Sequence, residues 1–447
     1  MAVWSIVKYS ELGIDGRIDP EFYRPGYLTK RAKIEKANHV LIGDIAFVSD
    51  GIHMSPDWVE EGGVPCYSAK HVKDNHFVLY EFGRISEKQN KSNKKTWLKE
   101  GDVLLTSVGT IGNCAVVRDY ILPANIDRHV GFIRLNEDSP ISPYYLSTFL
   151  NSNLGRFQTL RLATGNVQLN LFIDKMITIA VPVSDQSEEI AIATEKAYDL
   201  FDVSRSLLAE AEGMLLDELG LSNLELPKAK WNVRNFSETR TEERIDAEYY
   251  LPRYYAIFDV LNKKGCSRLN EIADVPIKRR FKAEKGEICN YVEISDIDVS
   301  NGSAEYTERP FEELPANAKL RFKGGELIIS KVRPTRGAIA VLPSLGNKAV
   351  CSGAFTMAEI ESPLREVVMV WLRSEYGKML LERPCTGGQY PTITDNDVEN
   401  VLIPNLSEPV AEQISAKVRE SHSARAEAKR LLETAKRKVE EMILEGK

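Results

Sequence analysis

Long apolar runs are missing from this 447-residue chain. Nowhere do about eighteen apolar residues follow one another, so nothing is expected to span a bilayer. The opening "MAVWSIVKYSELG" lacks a basic segment followed by an apolar core, and no secretory signal is expected. Cysteine is sparse, with six residues at 66, 114, 266, 289, 351 and 385 and no C-x-x-C. These fit reduced thiols in a cytoplasmic protein better than a disulfide framework or a zinc site. Histidine is equally dispersed, and His71 and His76 lack the neighbouring ligands a metal needs. Excess basic charge is absent too. A net charge of −7 argues against a uniformly basic nucleic-acid binder, though not against cations gathered on one face. The chain has no Pro-Pro dipeptide, hence no Asp-Pro-Pro-Tyr or Asn-Pro-Pro-Phe to bind a target amine. It has no G-x-x-x-x-G-K-[ST], H-E-x-x-H or G-x-S-x-G, and no convincing nuclease carboxylate set. An enzyme is therefore not expected.

What is there is a doubling. "RIDPEFYRPGY" (17–27) returns as "RIDAEYYLPRY" (244–254), about half the chain later. That period is far longer than the roughly 20–50 residues of a solenoid repeat. Other landmarks pair at similar intervals: Trp4 with Trp231, "EGDVLLTSVGTIG" (100–112) with "GGELIISKVRPTRG" (324–337), and "LATGNVQLNLFIDKMITIAVP" (162–182) with "PCTGGQYPTITDNDVENVLIP" (384–404). The composition, 43% apolar and 28% charged, is ordinary for a globular protein. Each copy is large enough to bury its own core. Four segments follow: a globular domain over 1–183, a long helix over 184–220, a linker and second globular domain over 221–406, and a second long helix over 407–447.

Each body reads as mixed α/β. "VLLTSVGTIGNCAVV" and "LIISKVRPTRGAIAVL" have the pattern of two strands joined by a tight turn. Helical stretches follow at 143–158 and 364–382, with Gly155 and Gly377 at matching places late in them. Ser184 and Ser407 are placed to cap the long helices. In the second long helix Ile414, Val418, Ser421, Arg425, Ala428, Leu432, Ala435, Val439 and Met442 make a heptad seam, imperfect at Ser421 and Arg425. Ile190, Ala193, Ala197, Leu200, Ser204, Leu207, Ala211 and Leu215 do the same in the first. Such helices run roughly 50 Å at 1.5 Å per residue. The ten-residue linker "LSNLELPKAK" (221–230) is too short to return along one, since it reaches at most about 35 Å. The expected architecture is α+β: two pseudo-symmetric domains separated by an antiparallel two-helix coiled-coil spacer.

Two similar domains held apart suit a reader of two separated sites on a periodic polymer such as duplex DNA. Phosphates call for cations, and base edges for Arg, Lys, Asn, Gln, Ser or Thr. Basic runs lie beside the Gly-rich turn in both copies. The candidates in the first domain are Lys70, His71, Lys91, Lys94 and Lys95, with Ser107 and Thr110 on the turn and Gln168 after its Thr-Gly pair. In the second they are Arg279, Arg280, Lys331, Arg333, Arg336 and Gln389. Salt bridges to nearby Glu are the alternative reading of the arginines. Arg17–Asp19 and Arg244–Asp246 read as structural: a buried ion pair fixing each domain start, with Tyr23, Tyr27, Tyr250 and Tyr254 packed around it.

The doubled "RID-x-E-(F/Y)-Y", the "G-(D/E)-(V/L)-(L/I)" strand with its Gly or Arg-Pro turn, the "TGNVQ" and "TGGQYPTI" loops and the long helix after each resemble the specificity subunit of type I restriction-modification systems. The resemblance covers essentially the whole chain, although "TGNVQLNLFID" lacks the Tyr-Pro of the second copy. It implies two target-recognition domains, each reading half of a bipartite site in double-stranded DNA. It implies a complex with DNA methyltransferase subunits and a restriction/translocase subunit. S-adenosylmethionine, ATP and Mg would belong to those partners and no cofactor to this chain. The competing reading is a partner-binding protein whose acidic balance mimics DNA on a methyltransferase complex.

Overall fold

The structure, a computed structural model, describes residues 5–9, 12, 17–165 and 168–445. Trp4, Asn166 and Val167, used in the repeat comparison, lie outside these. The chain divides into unit 1, residues 1–202 with 425–447, and unit 2, residues 203–424. Both are mixed α/β.

In each unit, two short antiparallel strands close the body. His39–Leu41 pairs with Ala180–Pro182 in unit 1, and Cys266–Arg268 with Leu402–Pro404 in unit 2. The central sheet is built on an apolar strand that lies between two others: Val103–Thr106 between Cys114–Val116 and Val130–Leu135, and Leu327–Ser330 between Ile339–Val341 and Phe355–Ala358. Central positions explain the unbroken apolar runs, since all four residues of Val103–Thr106 and of Leu327–Ser330 are buried. A second sheet carries a parallel pair in each unit, Val64–Tyr67 with Asn125–Ile126 and Ile288–Val292 with Ala349–Ser352.

One edge differs. Ala46–Asp50 is a full strand against Val130–Leu135, but the matching stretch of unit 2 keeps only a bridge at Asp274–Glu359 and the amide of Ile277 on Met357. Pro276 stands where unit 1 has Ser49 and has no N–H to give the ladder. The tight turns expected within the sequence pairs are instead longer loops, 107–113 and 331–338. Side-chain hydroxyls hold them closed: Thr106 Oγ1 donates to the Thr110 carbonyl, and Ser330 Oγ to the Val332 carbonyl.

The expected single helices are each two. Pro143–Asn151 gives way to Asn153–Leu162, and Leu364–Arg373 to Glu375–Glu382. At the breaks, Ser152 and Ser374 cap the second helices by accepting from the amides of Gly155 and Gly377. The glycines therefore sit at the start of a helix. Any Cβ there would drive into the Phe149 or Trp371 carbonyl.

The repeated Arg-Ile-Asp string has a defined task. Arg17 grips Asp19 at 2.7 Å and donates to the carbonyls of Arg161, Leu162 and Ala163; Arg244 grips Asp246 and donates to those of Pro384 and Cys385. The cation meets the unsatisfied C-terminal end of the helix before each Thr-Gly loop. Tyr23 and Tyr250 lock the arrangement by donating to the Arg17 and Arg244 carbonyls. The pairs are half-buried rather than buried.

The long helices run Ser187–Leu219 and Glu408–Glu445. Ser407 meets its helix through its carbonyl, which accepts from Ala411. In unit 1, Glu189 pairs with Lys438, and Ala197 packs with Ala428 and Leu432. In unit 2, Glu210 pairs with Lys417, and Ala211 and Leu215 share a core with Ile414 and Val418. Within each unit the segments are therefore antiparallel. The two polar seam positions are accommodated: Ser421 donates to the Ser204 carbonyl at 2.8 Å, and the Arg425 guanidinium stacks 5.1 Å over Phe201. Among the described residues no helix is long and apolar enough to cross a membrane, and the six cysteines are free.

Candidate nucleic-acid interface

The Thr-Gly loop and the loop after the central strand meet in each unit through the same hydrogen bonds. Thr164 and Asn170 exchange amide and carbonyl, as do Thr386 and Thr392. Leu171 donates to the Ser107 carbonyl, and Ile393 to that of Lys331. Ser107 donates to His129, and Lys331 to Ala354. This shared ladder makes Ser107 the counterpart of Lys331 and His129 that of Ala354. It frames an open cleft of about 530 Å³ in unit 1 and about 480 Å³ in unit 2.

The unit 2 cleft is basic, lined by Lys278, Arg279, Arg280, Lys319 and Lys331 beside Asp395. Three of these cations are spent within the protein, Lys278 on Asp395 at 3.2 Å among them. Lys331 binds Asp395 at 2.8 Å. Burial pushes the Asp395 carboxyl up, but hydrogen bonds from Lys331, Thr356 and Lys278 outweigh it and hold the group below its ordinary range. Arg279 binds the buried Glu326 at 2.5 Å and also Glu359. In unit 1 the same work falls to Arg134, which clamps the buried Asp102 through two bonds of 2.7 Å. The sheet register makes Arg134 the counterpart of Glu359, so Arg279 neutralises two carboxylates where unit 1 has one. Arg280 is exposed and makes no ion pair.

Beside this cleft, Arg333 sits in the left-handed region at φ 47°. It stacks 4.3 Å over Tyr390, which is 64% exposed, and donates to the Gln389 carbonyl. Pro334 opens a single 3-10 turn that ends at exposed Arg336. Half-buried Arg333 thus forms one group with exposed Gln389 and Tyr390.

The unit 1 cleft holds Ser107 and Gln168, with Asp50, His53, Arg128, His129 and Asp174. Ser107 is buried and works through its backbone, whereas Thr110 and Gln168 are exposed. His53 binds Asp50 at 2.7 Å, and Arg128 is exposed without an ion pair. Of the remaining candidates, Lys70 donates to the Glu81 carbonyl, Lys91 lies 3.6 Å from Glu87, and Lys94 and Lys95 are exposed. None of these four lines the cleft.

His71 needs correction. It is 2% exposed, its Nδ1 accepts the Ser68 amide, and burial pushes its pKa down. It is a neutral ring that holds a turn and has no face for a ligand. Sequence reading passed over Arg128 and His53, whose chain neighbours carry no motif. Lys278 and Lys319 belong to the basic runs 277–282 and 319–336 but were not singled out, and only the fold brings all four to a cleft.

The chain matches no protein-family model and no curated protein. It is similar in structure to the type I restriction-modification S subunit from M. genitalium, with 12% identity over 91% of this chain and 94% of that one and a TM-score of 0.39. It is also similar to the HsdS subunit from Thermoanaerobacter tengcongensis, with 15% identity over 91% and 95% of the two chains and a TM-score of 0.27. A chain of a type I R-M system studied for complex assembly and conformational transition gives 16% identity, coverage of 90% and 97%, and a TM-score of 0.27.

Proposed function

We propose that the chain is the non-catalytic DNA-specificity subunit of a type I restriction-modification complex. Each unit reads one half of a bipartite, asymmetric target, and the long helices form an antiparallel spacer between them. Methyltransferase and restriction subunits dock on the chain, and S-adenosylmethionine, ATP and Mg belong to those partners. One observation carries this reading: two copies of a single fold present equivalent clefts with unlike linings. One scaffold with two chemistries is what an unequal pair of half-sites requires. Arg280, Arg333, Arg336 and Gln389 serve the second half-site. Thr110 and Gln168, joined by Arg128 and His53, serve the first. The exposed lysines Lys70, Lys91, Lys94 and Lys95 meet phosphates. A DNA mimic would not keep exposed cations at matching places in both copies, as this chain does with Lys95 and Lys319.

The direct test is the methylome of cells with and without the gene. A bipartite motif should vanish with the gene, and unchanged methylation would refute the proposal. The spacer has its own test. Seven residues added to each helix in facing layers lengthen it by roughly 10 Å. The preferred gap should then grow by about three base pairs at 3.4 Å each, with both half-sites unchanged.

A further inference from the structure

Several basic residues of the two units correspond, and some, such as Arg17 and Arg244, hold the fold; two exposed lysine pairs precede the central strands. The strand-to-loop alignment through the buried carboxylates Asp102 and Glu326 sets Lys95 and Lys99 against Lys319 and Lys323. All four are exposed, and their ammonium groups make no ion pair among the described residues. The backbone of Lys99 and Lys323 is held in the same way in both units, while Lys95 lies in a 3-10 turn and Lys319 in a strand. The Lys99 amide donates to Asp102 at 2.8 Å, and the Lys323 amide to Glu326 at 2.9 Å. Both carboxylates are almost wholly buried, and each is clamped by an arginine from another segment, Arg134 or Arg279. Lys99 and Lys323 therefore start from a rigid base, which lowers the ordering cost of binding.

We infer that these four lysines are the sequence-neutral phosphate anchors of the two units. This rests on the DNA-reading function proposed above. The argument is one of internal symmetry. Two unlike half-sites share only their sugar-phosphate backbone, so exposed cations at matching places in both units, with no structural partner of their own, suit what both half-sites have in common. Features that differ between equivalent clefts serve the bases. Phosphate contacts position a protein on the duplex without reading sequence, and a lysine supplies the mobile point charge they need.

The test is binding of the full chain to a labelled duplex of randomised sequence, from low to moderate salt. Each neutralised phosphate contributes about 0.9 to the slope of log K against log salt. Lys319→Ala with Lys323→Ala should lower that slope by about 2, as should Lys95→Ala with Lys99→Ala, and all four together by about 3 to 4. Arginine at the same places should restore it. A control variant, Lys228→Ala with Lys230→Ala, removes as much exposed charge from linker positions with no basic counterpart in the other unit and should leave the slope nearly unchanged. Circular dichroism checks that each variant is folded. Equal slopes for the test and control variants would overturn the anchors while leaving DNA reading intact. A slope unchanged but a methylated motif altered would make the lysines base readers instead. No binding by the unsubstituted chain at any salt would overturn both the anchors and the function on which they rest.

Discussion

Where unit 1 has Asp50, His53, Ser107 and Arg128 around its cleft, unit 2 has Ile277, Arg280, Lys331 and Gly353. The backbone bonds that frame these positions are nevertheless the same on both sides. A main-chain ladder fixes where a cleft lies whatever the side chains are, so the lining is free to change. Buried charge behaves differently. Asp102 and Glu326 correspond, yet their arginines come from different segments. A buried carboxylate must be neutralised, but geometry lets the cation arrive from any direction that reaches it.

The sharpest test of this correspondence is to remove each arginine. Arg134→Ala and Arg279→Ala should each destabilise their unit by about 3–5 kcal/mol, because each leaves a buried carboxylate unpaired. Guanidinium unfolding measures this. A cost under about 1 kcal/mol for Arg279→Ala would return that residue to the list of DNA contacts.

Gly155→Ala and Gly377→Ala come next. Each forces a methyl group against the carbonyl of the preceding helix and should cost about 1–3 kcal/mol. Matching losses would support the equivalence of the two helix breaks, and a loss in only one would break it.

The clefts should separate where the scaffolds agree. Arg280→Ala, or Arg333→Ala with Arg336→Ala, should relax one half-site by up to about 1–3 kcal/mol, and His53→Ala the other by less. Methylation of a randomised library by the assembled complex reads this out. Loss at both half-sites from one substitution would mean that the units do not read independently.

The smallest effect is expected in acid. Hydrogen bonds from Arg17 and Arg244 hold the Asp19 and Asp246 carboxyls below their ordinary value of 3.8. A lowered folded-state pKa stabilises the fold above the ordinary value and is lost as pH falls through the folded one. Melting temperature should therefore fall below about pH 4 more steeply in the parent than in Asp19→Asn with Asp246→Asn. No difference is expected between pH 5 and 7. Both carboxyls are about 40% exposed, so solvent screening keeps the effect small.

Much of this was legible beforehand. The doubling rested on strings such as Arg17–Tyr27 and Arg244–Tyr254, and the heptad seams on plain periodicity. The turn loops were misjudged because nothing in the sequence shows that the hydroxyls of the last strand residues, Thr106 and Ser330, bind loop carbonyls. Arg279 and Lys331 were attractive as ligand contacts because sequence does not reveal carboxylates such as Glu359 and Asp395 that lie far along the chain.

The sequence by itself determined that there are two copies of one mixed α/β unit, each followed by a long heptad-patterned helix. Repeats and periodicities are properties of order along the chain, and order needs no coordinates to be read. Only the tertiary structure decided which cations remain available. It buried His71 in a turn, set Arg279 on Glu326 and Lys331 on Asp395, and left Lys95, Lys99, Lys319 and Lys323 in water. Charge pairing acts over a few ångströms of space, and residues that near in the fold are often remote in sequence.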